Sequence, residues 1–150
     1  MRTLKGYRLE IPSHDPAMSL RDVILKNRGI DPSGDLSSFF TPSFADLHDP
    51  FLFPGMEDAV TRILKARENK ERVVIFGDYD VDGVSSTAML VRFFQSMGME
   101  ISYRLPHRVK DGYGMKPYFM DELAKADVKL VISVDCGTRD VETVNRAKEL

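Results

Sequence analysis

Apolar positions along this chain follow two periods. Val73–Val74–Ile75–Phe76 is an unbroken β-branched and aromatic run that ends at Gly77, which predicts a buried strand. From Gly83 on, Val84, Ala88, Val91 and Phe94 recur at helical spacing, so a helix follows and Gly98 stops it. Glu100–Leu105 predicts a second strand, and a third opens at Lys129 and ends in Asp135–Cys136–Gly137–Thr138. Upstream, Glu57–Asn69 sets Ala59, Val60, Ile63 and Leu64 opposite Arg62, Lys65, Arg67 and Glu68, an amphipathic helix. Downstream, Thr138–Leu150 places Val141, Val144 and Ala147 on one helical face. It reaches Leu150 with no stop signal, which leads us to expect further α/β units beyond it.

Alternation of this kind predicts an α/β fold, a parallel sheet with helices on both faces. Right-handed crossovers then bring every strand C-terminus to one sheet edge. We read residues 56–150 as the N-terminal portion of such a domain and residues 1–55 as an irregular, partly helical extension packed on it. Within the extension, residues 1–16 are expected to form a loosely held arm and Met18–Gly29 a short helix. Asp31–Pro54 carries Phe39, Phe40, Phe44, Phe51, Leu52 and Phe53, which are expected to pin the segment onto the core. A stacking role on nucleic acid for one of them is the alternative.

Composition narrows the class. The 150 residues carry a net charge of −2 with 43% hydrophobic content, ordinary values for a chain with a core of its own. A nucleic-acid surface would therefore have to be a local positive patch. Cys136 is the single cysteine, so no intrachain disulfide forms, which fits a reducing, cytoplasmic setting. No stretch reads as a signal peptide or a membrane span.

The chemistry collects where the first strand hands over to its helix. Asp78, Asp80 and Asp82 put three like charges within five residues, at the edge where open α/β sheets bind ligands. A divalent cation with oxygen ligands would offset their repulsion. A helix cap explains one of the three. An EF-hand loop would need Glu at its twelfth position, where Met89 stands, and a strand precedes instead of a helix. A solvated acidic turn is the remaining plain reading. If the first and third strands are neighbours, their ends lie about 5 Å apart and Asp135 joins the cluster; a cap for the next helix is the alternative. Such a site suits Mg²⁺ or Mn²⁺, and two ions would suit hydrolysis of a phosphate ester. Ser85, Ser86 and Thr87 open the helix, where they could hold a phosphate or serve as ordinary first-turn hydroxyls.

A second candidate is the loop Arg104–Lys116. Arg104, His107, Arg108 and Lys110 could neutralise phosphates, and Tyr113 between Gly112 and Gly114 could stack on a base. A solvated turn with glycines at positive φ is the competing reading. His107 alone points to a local hydrogen bond more than to a metal. Cys136 has no identifiable base partner and reads as a small buried residue.

These stretches carry a family resemblance. GDYDVDGVSSTA at 77–88 resembles the first motif of the DHH phosphoesterase superfamily, and LHDPFLFPGMEDAVTRI, LPHRVKDGYG and VISVDCGT follow the same pattern in order. NRGI at 27–30 belongs to it too, so the resemblance covers about residues 20–150. It is strongest toward the superfamily's single-stranded-DNA-specific exonucleases. It implies a Rossmann-like domain and a 5′→3′ exonuclease acting on single-stranded DNA in repair and recombination, with two Mn²⁺ or Mg²⁺ ions in the complete site. It further implies a single-strand-binding protein and a helicase as partners, and no membrane. By motif position Asp80, Asp82 and Asp135 resemble metal ligands, and Asp78 a supporting catalytic member. Arg108 and Gly112–Tyr113–Gly114 resemble substrate-side residues.

The family's Asp-His-His motif, a later aspartate and a DNA-clamping domain do not occur within these residues, so the chain by itself is expected to be inactive. Three alternatives accompany this reading. The first is another DHH-type phosphoesterase acting on oligonucleotides or a cyclic dinucleotide. The second is a haloacid-dehalogenase-type phosphatase with Asp80 as nucleophile and Asp82 as acid. The third is a non-catalytic nucleic-acid-binding module.

Overall fold

The computed structural model describes residues 15–150, so the expected arm lies almost entirely outside the described residues. These residues divide into two compact units, 15–49 and Pro50–Leu150.

In the first unit α1 (Leu20–Asn27) starts at Ser19, whose hydroxyl accepts from Asp22 N–H, and closes on Gly29 at φ +75°. Leu25 is its buried residue. A single turn, α2 (Ser37–Phe40), and a 3₁₀ turn, Phe44–Asp46, follow. Ser43 and Asp46 cap the latter reciprocally. Phe39 and Phe40 meet edge to face at 5.1 Å, yet both stay exposed, as does Phe44.

The second unit opens with a 3₁₀ turn, Pro50–Leu52, in which Phe51, Leu52 and Phe53 are likewise exposed. The alternation then appears as predicted: α3 (Met56–Glu68), β1 (Arg72–Phe76), α4 (Val81–Ser96), β2 (Ile101–Arg104), α5 (Pro117–Lys125), β3 (Val128–Ser133) and α6 (Val141–Glu149). Among the described residues the sheet has three parallel strands in the order β2–β1–β3. The strand predicted to be most apolar is thus central, as a parallel sheet covered on both faces requires.

Period-two alternation along β1 sorts the core. Val73 and Ile75 pack with Ala66 of α3, Phe94 of α4 and Met99 on one face. Phe76 packs with Met115 and with Phe119 and Met120 of α5 on the other, meeting the Phe119 ring at 5.2 Å. Arg62 of α3 braces the sheet, its Nη2 donating to Glu71 Oε2 at 2.7 Å and to the Lys129 carbonyl of β3 at 2.9 Å.

One face differs from expectation. Val84 and Ala88 of α4 are exposed, and the buried residues are Gly83, Thr87 and Phe94. The start of α4 sits so tightly on the end of β1 that only a hydrogen and a hydroxyl fit between them.

Candidate metal centre

That tight contact builds the site. A Cβ on Gly83 would lie 2.4 Å from the carbonyl oxygen of Asp78, and one on Gly77 would lie 2.0 Å from Thr87 Oγ1. Two glycines therefore let the first turn of α4 press against the strand's exit. Gly77 N–H still donates to the Arg104 carbonyl of β2 at 3.1 Å, so sheet pairing runs up to the acidic stretch.

Helix α4 starts at Val81, two residues earlier than the apolar pattern indicates, with Asp80 as its cap: Asp80 Oδ1 accepts from Gly83 N–H at 3.0 Å. Asp82 falls in the first turn, where the helix's partial positive charge favours a carboxylate. Asp78 is buried at 2% exposure, and its Oδ1 finds no hydrogen-bond partner among the described residues. A buried carboxylate oxygen left alone is costly, which calls for a cation or a donor at that point.

β3 is the neighbour of β1, and Val134 N–H donates to the Phe76 carbonyl at 2.9 Å, extending the pairing past the last strand residues. The chain then turns at Asp135, which holds φ +57°. One oxygen from each of Asp78, Asp80 and Asp135 lies within 4.8 Å of the others. Asp82 is not part of that trio; it lines an open depression with Asp135, Ser85, Ser86 and Met89.

Partial desolvation, the charge of Asp80 and a hydrogen bond with it raise the Asp135 carboxyl above the ordinary range, and the charges of Asp82 and Asp78 add to this. The repulsion expected from the sequence is therefore present across two strand ends. Hard carboxylate oxygens that repel one another and leave one buried oxygen unpartnered fit a divalent cation.

The hydroxyls beside the acids are committed to the helix. Ser85 Oγ donates to the Val81 carbonyl, and Ser86 Oγ to the Asp82 carbonyl at 2.6 Å. Cys136 is half-buried, and desolvation followed by the charge of Asp140 pushes its thiol up to about 11, so it stays protonated at neutral pH.

The loop after β2 is a built turn. His107 N–H donates to Asp111 Oδ2 at 2.6 Å, and His107 Nδ1 accepts from Val109 N–H at 3.2 Å and Lys110 N–H at 3.3 Å. His107 thus serves the loop locally, as its isolation in the sequence suggests. Gly112 and Gly114 adopt φ +72° and +81°. Tyr113 between them is exposed; desolvation and the charges of Asp78, Cys136, Asp135 and Asp140 hold its phenol above its usual range. Its hydroxyl therefore feels the acidic cluster, which joins loop and cluster at one sheet edge.

Two contributors carried no sequence signal. Asp140, just before α6, accepts from Met115 N–H at 2.9 Å, and its carboxylate would lie 3.0 Å from a Cβ at Gly114. Tyr79, between two of the acids, carries the Arg108 guanidinium over its ring at 4.6 Å.

Residues 72–150, just over half of the chain, match the model of the DHH family, N-terminal domain. The chain belongs to the DHH family. This DHH chain is 31% identical over 153 aligned residues to the single-stranded-DNA-specific exonuclease RecJ of Bacillus subtilis, covering 96% of the chain and 20% of that protein. It is 35% identical over 129 residues to RecJ of Dickeya dadantii, covering 85% of the chain and 21% of the relative. The chain thus spans about a fifth of the length of these curated relatives.

Among solved structures, an exonuclease RecJ bound to manganese superimposes with a TM-score of 0.59 at 31% identity, over 66% of this chain and 26% of that one. RecJ from Thermus thermophilus in complex with Mn²⁺ gives 0.58 at 26% identity, over 83% and 16%. The parallel sheet with helices on both faces is the architecture shared with them.

Proposed function

We propose that this DHH chain supplies the aspartate side of a metal-dependent exonuclease site that hydrolyses phosphodiester bonds of single-stranded DNA from its 5′ end. The observation that carries this reading is the meeting of Asp78, Asp80 and Asp135 within 4.8 Å at the sheet's C-terminal edge, one of them with a buried, unpartnered oxygen. The names and bound manganese of the relatives supply the substrate and the metal class.

Asp78, Asp80 and Asp135 would hold the first ion, with Asp82 beside Asp135 available to a second. A bound Mn²⁺ or Mg²⁺ lowers the pKa of water and stabilises charge on phosphoryl oxygens. Asp80 also fixes the start of α4 by capping it, so one carboxyl is oriented by the fold before any ligand arrives. The exposed Arg108 and Lys110, on the turn beside the cluster, would meet the strand's phosphates, and Tyr113 a base.

The proposal extends to a role in repair and recombination, with a single-strand-binding protein and a helicase as partners. No helix among the described residues is long and apolar enough to cross a membrane. Three converging carboxylates are too few for two hard cations, so we propose that these 150 residues bind manganese without turning over.

Calorimetric titration with Mn²⁺, run beside hydrolysis of 5′-labelled single-stranded DNA, tests both halves. Saturable binding that Asp80→Asn abolishes, with no cleavage, is the expected result. Absence of binding sinks the metal assignment, and clear cleavage sinks the inactivity.

A further inference from the structure

We propose that Tyr79 is a positioning residue: its ring carries the Arg108 guanidinium at the edge of the aspartate cluster and aims it at a substrate phosphate. This deepens the phosphodiester reading above and rests on it.

The observations converge from both ends of the contact. The Arg108 backbone lies in a turn closed by His107 and Asp111, and Asp111 is in turn held by Tyr118 of α5, whose hydroxyl donates at 2.8 Å. The origin of the side chain is therefore fixed. Its far end rests over Tyr79 at 4.6 Å and, among the described residues, makes no recorded hydrogen bond or ion pair.

Three arginines of this unit are paired with carboxylates: Arg62 with Glu71, Arg104 with Glu122, Arg146 with Asp121. Arg108 makes no ion pair with either aspartate flanking Tyr79. A guanidinium stacked on a ring keeps its in-plane N–H donors free, and that fork matches a phosphate.

The Tyr79 backbone is held from both sides. Asp78 is buried behind the Gly83 contact, and Asp80 is the cap of α4. The ring is thus a half-buried shelf between two cluster residues. The stack holds a positive, donor-rich group on the residue between Asp78 and Asp80, whose charges would otherwise repel a polyanion. A lysine or an unstacked arginine would sample many positions there at an entropic cost on binding.

The test uses the 150-residue chain with Mn²⁺ and a fluorescent single-stranded oligothymidylate, read by anisotropy. Tyr79→Leu and Arg108→Ala should each weaken binding roughly threefold to tenfold, the range a partly desolvated cation–π contact supports. The double variant should bind no worse than the weaker single one, because the two residues act as a unit. Tyr79→Phe, which keeps the ring, should stay close to wild type.

The Arg108 Nε–Hε resonance gives a second readout, expected upfield in the wild type and in Tyr79→Phe through the ring current. Lack of that shift overturns the proposal even if Tyr79→Leu fails to fold. Weakening by Arg108→Ala with none by a folded Tyr79→Leu overturns the positioning role and leaves the phosphodiester reading standing. Wild-type binding by Arg108→Ala also overturns the positioning role, while the phosphodiester reading is decided separately by the manganese titration.

Discussion

Asp135 is the residue on which the electrostatics of the site turn. Its folded carboxyl titrates above its unfolded value through partial desolvation and the neighbouring Asp80. The protonated form is therefore favoured by folding: the contribution is fully present below the ordinary carboxylate range and is lost as pH rises through the folded value. Without metal, Asp135→Asn should thus melt above wild type at pH 7, and the gain should vanish toward pH 3. Thermal unfolding followed by circular dichroism over that range checks the sign. Added manganese should raise the wild-type melting point more than that of the variant, since binding to the folded state alone stabilises it.

At the scale of elements, the junction of β1 with α4 and the seating of the glycine loop each depend on one contact. Gly83→Ala drives a Cβ against the backbone of Asp78 at 2.4 Å, where no rotamer change gives relief. We expect a loss of about 3 kcal/mol or more in urea denaturation, with manganese binding lost alongside. Asp140→Ala leaves the Met115 amide unpaired and removes a charge-assisted hydrogen bond. A loss of about 1.5–3 kcal/mol should follow, with faster amide exchange over residues 112–116.

The junction also shows where sequence pattern fails. Hydrophobicity assigns Val84 to the buried face of α4, whereas Gly83 and Thr87 occupy it. Backbone proximity, which no apolar count detects, decided that face. Asp140 was invisible for a related reason, its partner being 25 residues away in a loop.

For the molecule as a whole, alternation in the apolar pattern was enough to predict the parallel sheet, the helices on both faces and the shared edge. These depend on chain-wide periodicity and on crossover handedness, which single residues hardly perturb. The core should be correspondingly sensitive. Phe76, fully buried against Phe119 and Met120, should cost about 3–5 kcal/mol when changed to Ala. That is a large part of the stability of a domain this size, so the variant should populate unfolded chain in mild urea.

The backbone turn at Asp135 bears on how any substitution there is interpreted. A left-handed conformation costs most side chains about 1–2 kcal/mol, while asparagine tolerates it as aspartate does. Alanine or glutamate at this position would shift the local chain as well as the charge, so a deficit in such a variant mixes two causes. Asparagine isolates the loss of the anion and is the informative replacement.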